Sequence, residues 1–254
     1  YGRESKLKLL VERLFWSFID GAVLYGNYAK EVMKKEGFNV ENYLVIHNSL
    51  NYNHQIELRD SGLSSNVYKA HFGNDNHVII FIGRLTKVKN LDMLVDAVYM
   101  LKNRCEEYNL VFVGNGMEES NLKARVKKLE IDEQVWFYGA CYEEKTNAEL
   151  IYNADLCVAP GNVGLTAMHT MVFGTPVISH NNFPWQMPEF EAIHPGKTGD
   201  FFEYQNQQSL VDTISNWFAT KREKREEVRL ACYNEIDTQW TPKFQFEVYK
   251  KLLA

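Results

Sequence analysis

From residue 77 onward the chain alternates short apolar runs with amphipathic stretches roughly every 20–30 residues, and no other feature constrains its fold as strongly. Val78–Ile82, Leu110–Val113, Val135–Tyr138, Leu156–Ala159 and Pro176–Ser179 have the length and near-continuous apolarity of strands buried on both faces. Between the first two, apolar residues at 91, 94, 95, 98, 101 and 105 fit one helical face, with Asn90 placed to cap it. Helices are expected over about 117–129, 143–153 and 165–173 as well. Strands that alternate with helices build parallel βαβ units through right-handed crossovers, so the fold class is α/β, a doubly wound parallel sheet with flanking helices. Three more helices are expected over 205–219, 221–237 and 243–253, and KREKREEVR at 221–229 reads as a solvated face.

The segment before residue 77 is less regular. Residues 5–18 carry apolar positions at 7, 10, 11, 14, 15 and 18, the spacing of an amphipathic helix. Its slight basic excess (Lys6, Lys8, Arg13) favours a packed helix over one lying on a membrane surface. Ile19–Tyr25 reads as a strand ending at Gly26, residues 27–36 as a helix closed by Gly37, and Tyr43–Ile46 as a strand before the polar turn His47-Asn48-Ser49. Residues 50–76 are mixed and suit a linker with one or two short helices. A chain of 254 residues is short for two doubly wound domains, which need roughly 300–400. The length thus falls between one such domain and two. The first residue is Tyr1 and not Met.

Composition removes several classes. Apolar residues make up 45% and charged residues 24%, ordinary globular usage and not that of a disordered chain. No apolar run approaches the ~20 residues of a membrane span, and residues 1–25 lack the plan of a signal peptide. A net charge of −5 gives no basic footprint for nucleic acid. Cys105, Cys141, Cys157 and Cys232 form no C-x-x-C pair and read as reduced core thiols, which points to a cytoplasmic setting.

Ligands of open α/β sheets bind beyond the carboxyl ends of the strands, which narrows the search to four loops. Gly83–Asn90 holds Arg84, a planar fork for phosphate, and Lys89, a point charge, beside a helix start that already favours anions. Gly114-Asn115-Gly116 permits a tight turn. Tyr138-Gly139-Ala140-Cys141 has small residues at a strand end, equally suited to a plain turn or to the approach of a flat ring. Gly161-Asn162-Val163-Gly164-Leu165-Thr166 precedes a helix whose first N–H groups form an anion site, and His169 follows one turn later. The irregular stretch 184–199 contains Glu189 and Glu191, a pair able to do acid–base work. G-x-S-x-G, H-E-x-x-H, Walker A, zinc-site spacing and a complete G-x-G-x-x-G are all missing.

Five pieces in order resemble the family-4 retaining glycosyltransferases of GT-B fold. They are Phe81-Ile82-Gly83-Arg84-Leu85 with Lys89-Asn90; Leu110–Gly116; Val135–Gly139; Tyr152-Asn153-Ala154-Asp155 with Ala159-Pro160; and Gly164-Leu165-Thr166 through Gly174-Thr175-Pro176-Val177-Ile178. The resemblance implies a Rossmann-like, donor-binding half of a GT-B fold over 49–254, and Tyr25, Gly26 and the Asn48 turn resemble the tail of the acceptor domain, so 1–48 is expected to be the end of an acceptor-side Rossmann-like domain whose beginning is absent. It implies transfer of a sugar from a nucleoside-diphosphate sugar to a glycan or lipid-linked acceptor, with retention and no metal or other cofactor, at the inner face of a membrane. Arg84 and Lys89 would hold the diphosphate, backbone N–H groups of Gly164, Leu165 and Thr166 would cap it, Gly83 would line the same loop, and Gly139 and Ala140 would lie near the base. The family places two glutamates where this chain has Gly161 and His169, the first near the transferred sugar and the second on the ribose. Glu189 or Glu191 is expected to take over at the sugar, with His169 left on the donor side. The alternatives are a nucleotide-sugar epimerase and a non-catalytic nucleotide-binding module, and the isolated chain is expected to transfer sugar weakly or not at all.

Overall fold

The computed structural model describes residues 6–253. Tyr1 and Ser5, where the start of the chain and the first expected helix were read, lie outside the described residues. The main sheet has six strands: β3 (His77–Ile82), β4 (Tyr108–Val113), β5 (Val135–Gly139), β6 (Leu156–Ala159), β7 (Val177–His180) and β8 (Gly199–Phe202). All are parallel, in the order β5-β4-β3-β6-β7-β8. The first five are the apolar runs expected as strands. The interior strands read as continuous apolar stretches because helices cover both faces, and β4 is buried at every position.

The connecting helices are α5 (Leu91–Lys102), α6 (Glu119–Lys128), α7 (Glu144–Asn153) and α8 (Thr166–Met171), followed after β8 by α9 (Gln207–Lys221), α10 (Arg225–Gln239) and α11 (Pro242–Leu253). Helix α5 buries Leu91, Leu94, Val95, Val98 and Leu101, the face marked by its spacing. Asn90 does not cap it through its side chain. Its backbone is left-handed (φ 48°) and joins a 3-10 turn over Lys87–Lys89 to α5. Asparagine tolerates that conformation better than most residues. Within 184–199, expected to be irregular, two 3-10 turns (Phe183–Trp185 and Pro188–Ala192) lead into β8.

Cys157 and Cys232 are core thiols, and burial pushes Cys157 up to about 12. Cys105 is exposed and Cys141 half-buried, so two of the four cysteines depart from the expected core placement. Among the described residues no helix is long and apolar enough to cross a membrane.

Ahead of this sheet, β1 (Ala22–Leu24) and β2 (Tyr43–Val45) form a separate two-stranded parallel sheet. It is joined by α2 (Asn27–Lys35) and preceded by α1 (Lys6–Trp16). Helix α1 forms as its spacing predicts, but Leu10, Val11, Leu14 and Phe15 are exposed, Phe15 at 64%. Trp16 alone turns its ring onto Tyr43, at 5.8 Å. The packed face expected for this helix is therefore uncovered among the described residues: apolar spacing says which face is sticky and not what meets it. Helices α3 (Tyr52–Asp60) and α4 (Val67–Phe72) occupy the expected linker, and the Tyr68 hydroxyl donates to the Leu150 carbonyl at 2.6 Å.

A compact set of contacts fastens the two-stranded part to the main sheet. Tyr28 packs edge-on against Phe183 and Phe190. Glu191, expected beside the transferred sugar, instead accepts from the backbone N–H groups of Asn27 (2.8 Å) and Tyr28 (2.6 Å) and from the Asn27 amide (3.1 Å). It thus serves as an N-cap delivered from 160-odd positions away, at a helix end whose own residue, Gly26, has no side chain to do so. Replacing Glu191 by Ala is expected to cost about 1–2 kcal/mol of stability, read as a lower thermal midpoint with faster amide exchange over 27–31.

Candidate active site

The strand order reverses between β3 and β6, and loops leaving those neighbours in opposite directions open a crevice at their carboxyl ends. Gly83 to Lys89 leave β3 there, and Gly161 to Thr166 leave β6. The two loops are fitted backbone to backbone. Gly161 N–H donates to the Lys89 carbonyl at 2.9 Å. A Cβ built on Gly161 would stand 2.1 Å from the Val88 carbonyl oxygen and 2.6 Å from Lys89 Cα. The neighbouring turn is equally close, since a Cβ on Gly114 would lie 1.9 Å from the Gly83 carbonyl oxygen. Gly114-Asn115-Gly116 therefore does more than turn the chain: it lets the loops after β3 and β4 run in contact, with Leu85 N–H donating to the Asn115 carbonyl at 2.8 Å.

Side chains lock the same crevice. Lys89 Nζ donates to the backbone carbonyl (2.7 Å) and the side-chain oxygen (2.8 Å) of Asn162. Two of its three donors are thereby used, and the third has no partner among the described residues. Burial pushes the Lys89 ammonium below the usual lysine range, the nearby Arg84 charge adds to that, and Glu189 opposes it. Arg84 is exposed, and its guanidinium has no hydrogen bond or ion pair among the described residues. Thr166 Oγ1 donates to the Ile82 carbonyl at 3.1 Å, tying the start of α8 to the end of β3. From the β7 side, Gln186 accepts from Val163 N–H at 2.9 Å and donates to Ser179 Oγ at 2.8 Å, which pins the glycine loop from behind. Gly164 has a left-handed backbone (φ 55°), and the N–H groups of Gly164, Leu165 and Thr166 have no acceptor among the described residues.

The structure thus brings together Gly83, Arg84, Lys89, Gly164, Leu165 and Thr166. Gly139 and Ala140 stand two strands away, beyond β4, at the end of β5, with open space beside Gly139. Glu189 is 1% exposed and accepts from the Asn48 amide, while its Oε2 has no hydrogen-bond partner among the described residues. His169 Nε2 lies 3.0 Å from Glu144 Oε1. Sequence reasoning missed Glu144, Asn162 and Gln186. A glutamate in the first turn of a helix is ordinary, and nothing in the pattern singles out the two amides.

Comparison with known proteins gives a consistent picture. The family model described as glycosyl transferases group 1 matches residues 67–234. A mannosylfructose-phosphate synthase of Agrobacterium fabrum is 30% identical over 175 residues, 64% of this chain and 37% of the synthase. An alpha-monoglucosyldiacylglycerol synthase of Streptococcus pneumoniae is 25% identical over 185 residues, 71% of this chain and 41% of that protein. The chain therefore spans about two fifths of the length of these curated relatives. Among solved structures, Anabaena Alr3699/HepE in complex with UDP superposes with a TM-score of 0.76 at 18% identity, covering 99% of this chain and 68% of that one. The shared fold is the expected doubly wound half of a GT-B architecture.

Proposed function

This chain belongs to the group 1 glycosyl transferases, and from that premise we propose that its crevice holds the diphosphate of a nucleotide sugar while the sugar moves to a glycan or lipid-linked acceptor, with retention and without a metal. The observation that carries this reading is the meeting of Arg84, Lys89 and the N–H groups of Gly164, Leu165 and Thr166 at the point where the strand order reverses. As the bond from sugar to phosphate breaks, its electron pair stays on the phosphate oxygen. Fixed cations and N–H dipoles aimed at that oxygen stabilise the growing charge without having to reorganise. The third donor of Lys89 and the whole guanidinium of Arg84 are available for it. Glu189, whose buried Oε2 has no partner, is proposed to meet a hydroxyl of the sugar, and Gly139 and Ala140 to lie along the base.

Calorimetric titration with UDP, GDP and ADP, followed by hydrolysis and transfer assays with the matching sugar nucleotides, tests this. One nucleotide is expected to bind well ahead of the others, with UDP first in line because HepE is solved with it. Absence of binding by all three overturns the reading. Binding without turnover, even with the remainder of the protein present, would favour a nucleotide-binding module, the alternative to which Gly161 and His169 point.

A further inference from the structure

Gln55 of α3, Glu144 in the first turn of α7 and His169 of α8 form a chain of side chains that the proposed diphosphate contacts do not use. Gln55 is 4% exposed, and its Nε2 donates to Glu144 Oε1 at 2.8 Å. His169 Nε2 meets the same oxygen at 3.0 Å. Both bonds fall on Oε1, and Oε2 of Glu144 has no hydrogen bond among the described residues. The Glu144 side chain is 28% exposed. Three elements thus hold one carboxylate in a fixed pose and leave its second oxygen as an acceptor. Burial would raise the Glu144 carboxyl, but the hydrogen bonds from His169 and Gln55 and the nearby His54 outweigh it and hold it below the usual range. It is therefore ionised at neutral pH.

The position of this carboxylate says what it can accept from. Glu144 opens α7 four residues beyond Ala140, the loop proposed to run along the base. Its partner His169 lies one turn beyond Leu165, in the loop proposed to cap the phosphates. A fixed anion repels phosphate and binds hydroxyl groups, and between the base and the phosphates of a nucleotide lies the ribose. We infer that Glu144 accepts hydrogen bonds from the vicinal hydroxyls of the nucleoside ribose, with Gln55 and His169 as positioning residues. This rests on the nucleotide-sugar reading above and adds to it a selectivity for ribonucleotides that comes from α7.

The test is titration of the chain with UDP, 2′-deoxy-UDP and 2′,3′-dideoxy-UDP, with the GDP or ADP series substituted if one of those is the nucleotide bound. The wild-type chain is expected to favour the ribonucleotide by roughly tenfold or more, the worth of a hydrogen bond to a charged group. Glu144→Ala, and the isosteric Glu144→Gln to a lesser degree, should bring that ratio towards one with affinity for the dideoxy compound held. His169→Ala should lower the ratio in the same way, a change that a purely structural brace would not cause. Equal affinity of the wild type for all three compounds overturns the inference while leaving the nucleotide reading intact. So does an equal loss for all three in both Glu144 variants. Failure of the wild type to bind any nucleotide overturns both.

Discussion

Replacing Arg84 by Ala is expected to lower nucleotide-sugar turnover by roughly 10²–10³-fold, the usual effect of removing one preorganised donor from a developing negative charge. The thermal midpoint should not move, because Arg84 is exposed and holds no other group among the described residues. Lys89→Ala should give a comparable loss with a different signature. Its ammonium fastens Asn162 by two hydrogen bonds, so removing it also frees the glycine loop and lowers the midpoint. Steady-state assays with the matching sugar nucleotide, set beside calorimetric unfolding, separate the two. Near-normal turnover in both variants would remove the diphosphate from this crevice.

Gly161→Glu, which installs the residue that the family resemblance implies at this place, is expected to damage the protein. Any Cβ there meets the Val88 carbonyl oxygen at 2.1 Å and Lys89 Cα at 2.6 Å, and neither is a flexible side-chain end that could swing aside. The loops after β3 and β6 must part. Overpacking of this kind costs about 3 kcal/mol, and the same displacement carries Lys89 away from Asn162. The expected result is a lowered unfolding midpoint with nucleotide affinity lost, and Gly161→Ala should reproduce most of it because the clash begins at Cβ. A stable Gly161→Glu variant with improved turnover would show that the crevice relaxes as a unit.

Much of the architecture could be read from the residues, for a definite reason. Strands β3, β4, β6 and β7 lie inside the sheet and are buried almost throughout, so they appear as unbroken apolar runs that the eye separates from the helices between them, and the half-buried edge strand β5 still reads as Val135-Trp136-Phe137-Tyr138. Strand β8 escaped although the other edge strand, β5, did not, and the difference lies in composition. Its run Gly199-Asp200-Phe201-Phe202 is short and interrupted by a charge, and Asp200 bonds the next backbone N–H. The loops at the reversal were legible because glycines and cations sit directly after strand ends. The roles of Glu191 and Glu144 were not. Glu191 reaches a helix end 164 positions earlier, and Glu144 takes partners 89 and 25 positions away. Pairings of that separation leave no periodic trace, and they appear only once the sheet has brought the elements together.

The reversal of strand order has a consequence for how the molecule comes into being. Arg84 and Lys89 follow β3, yet the strand beside β3 on the far side, β6, is not reached until β4 and β5 have been made. A nascent chain that has emerged through β5 can assemble the half-sheet β5-β4-β3 from near neighbours in sequence, the contacts that close fastest. At that stage its cations face solvent, and β3 presents an open edge. Arrival of β6 covers that edge and delivers the Gly161 loop onto Val88 and Lys89 in the same step. The crevice therefore cannot form during synthesis until β6 and the Gly161 loop have emerged, and an interruption before residue 156 leaves a half-sheet with an unpaired strand, the species from which aggregation starts.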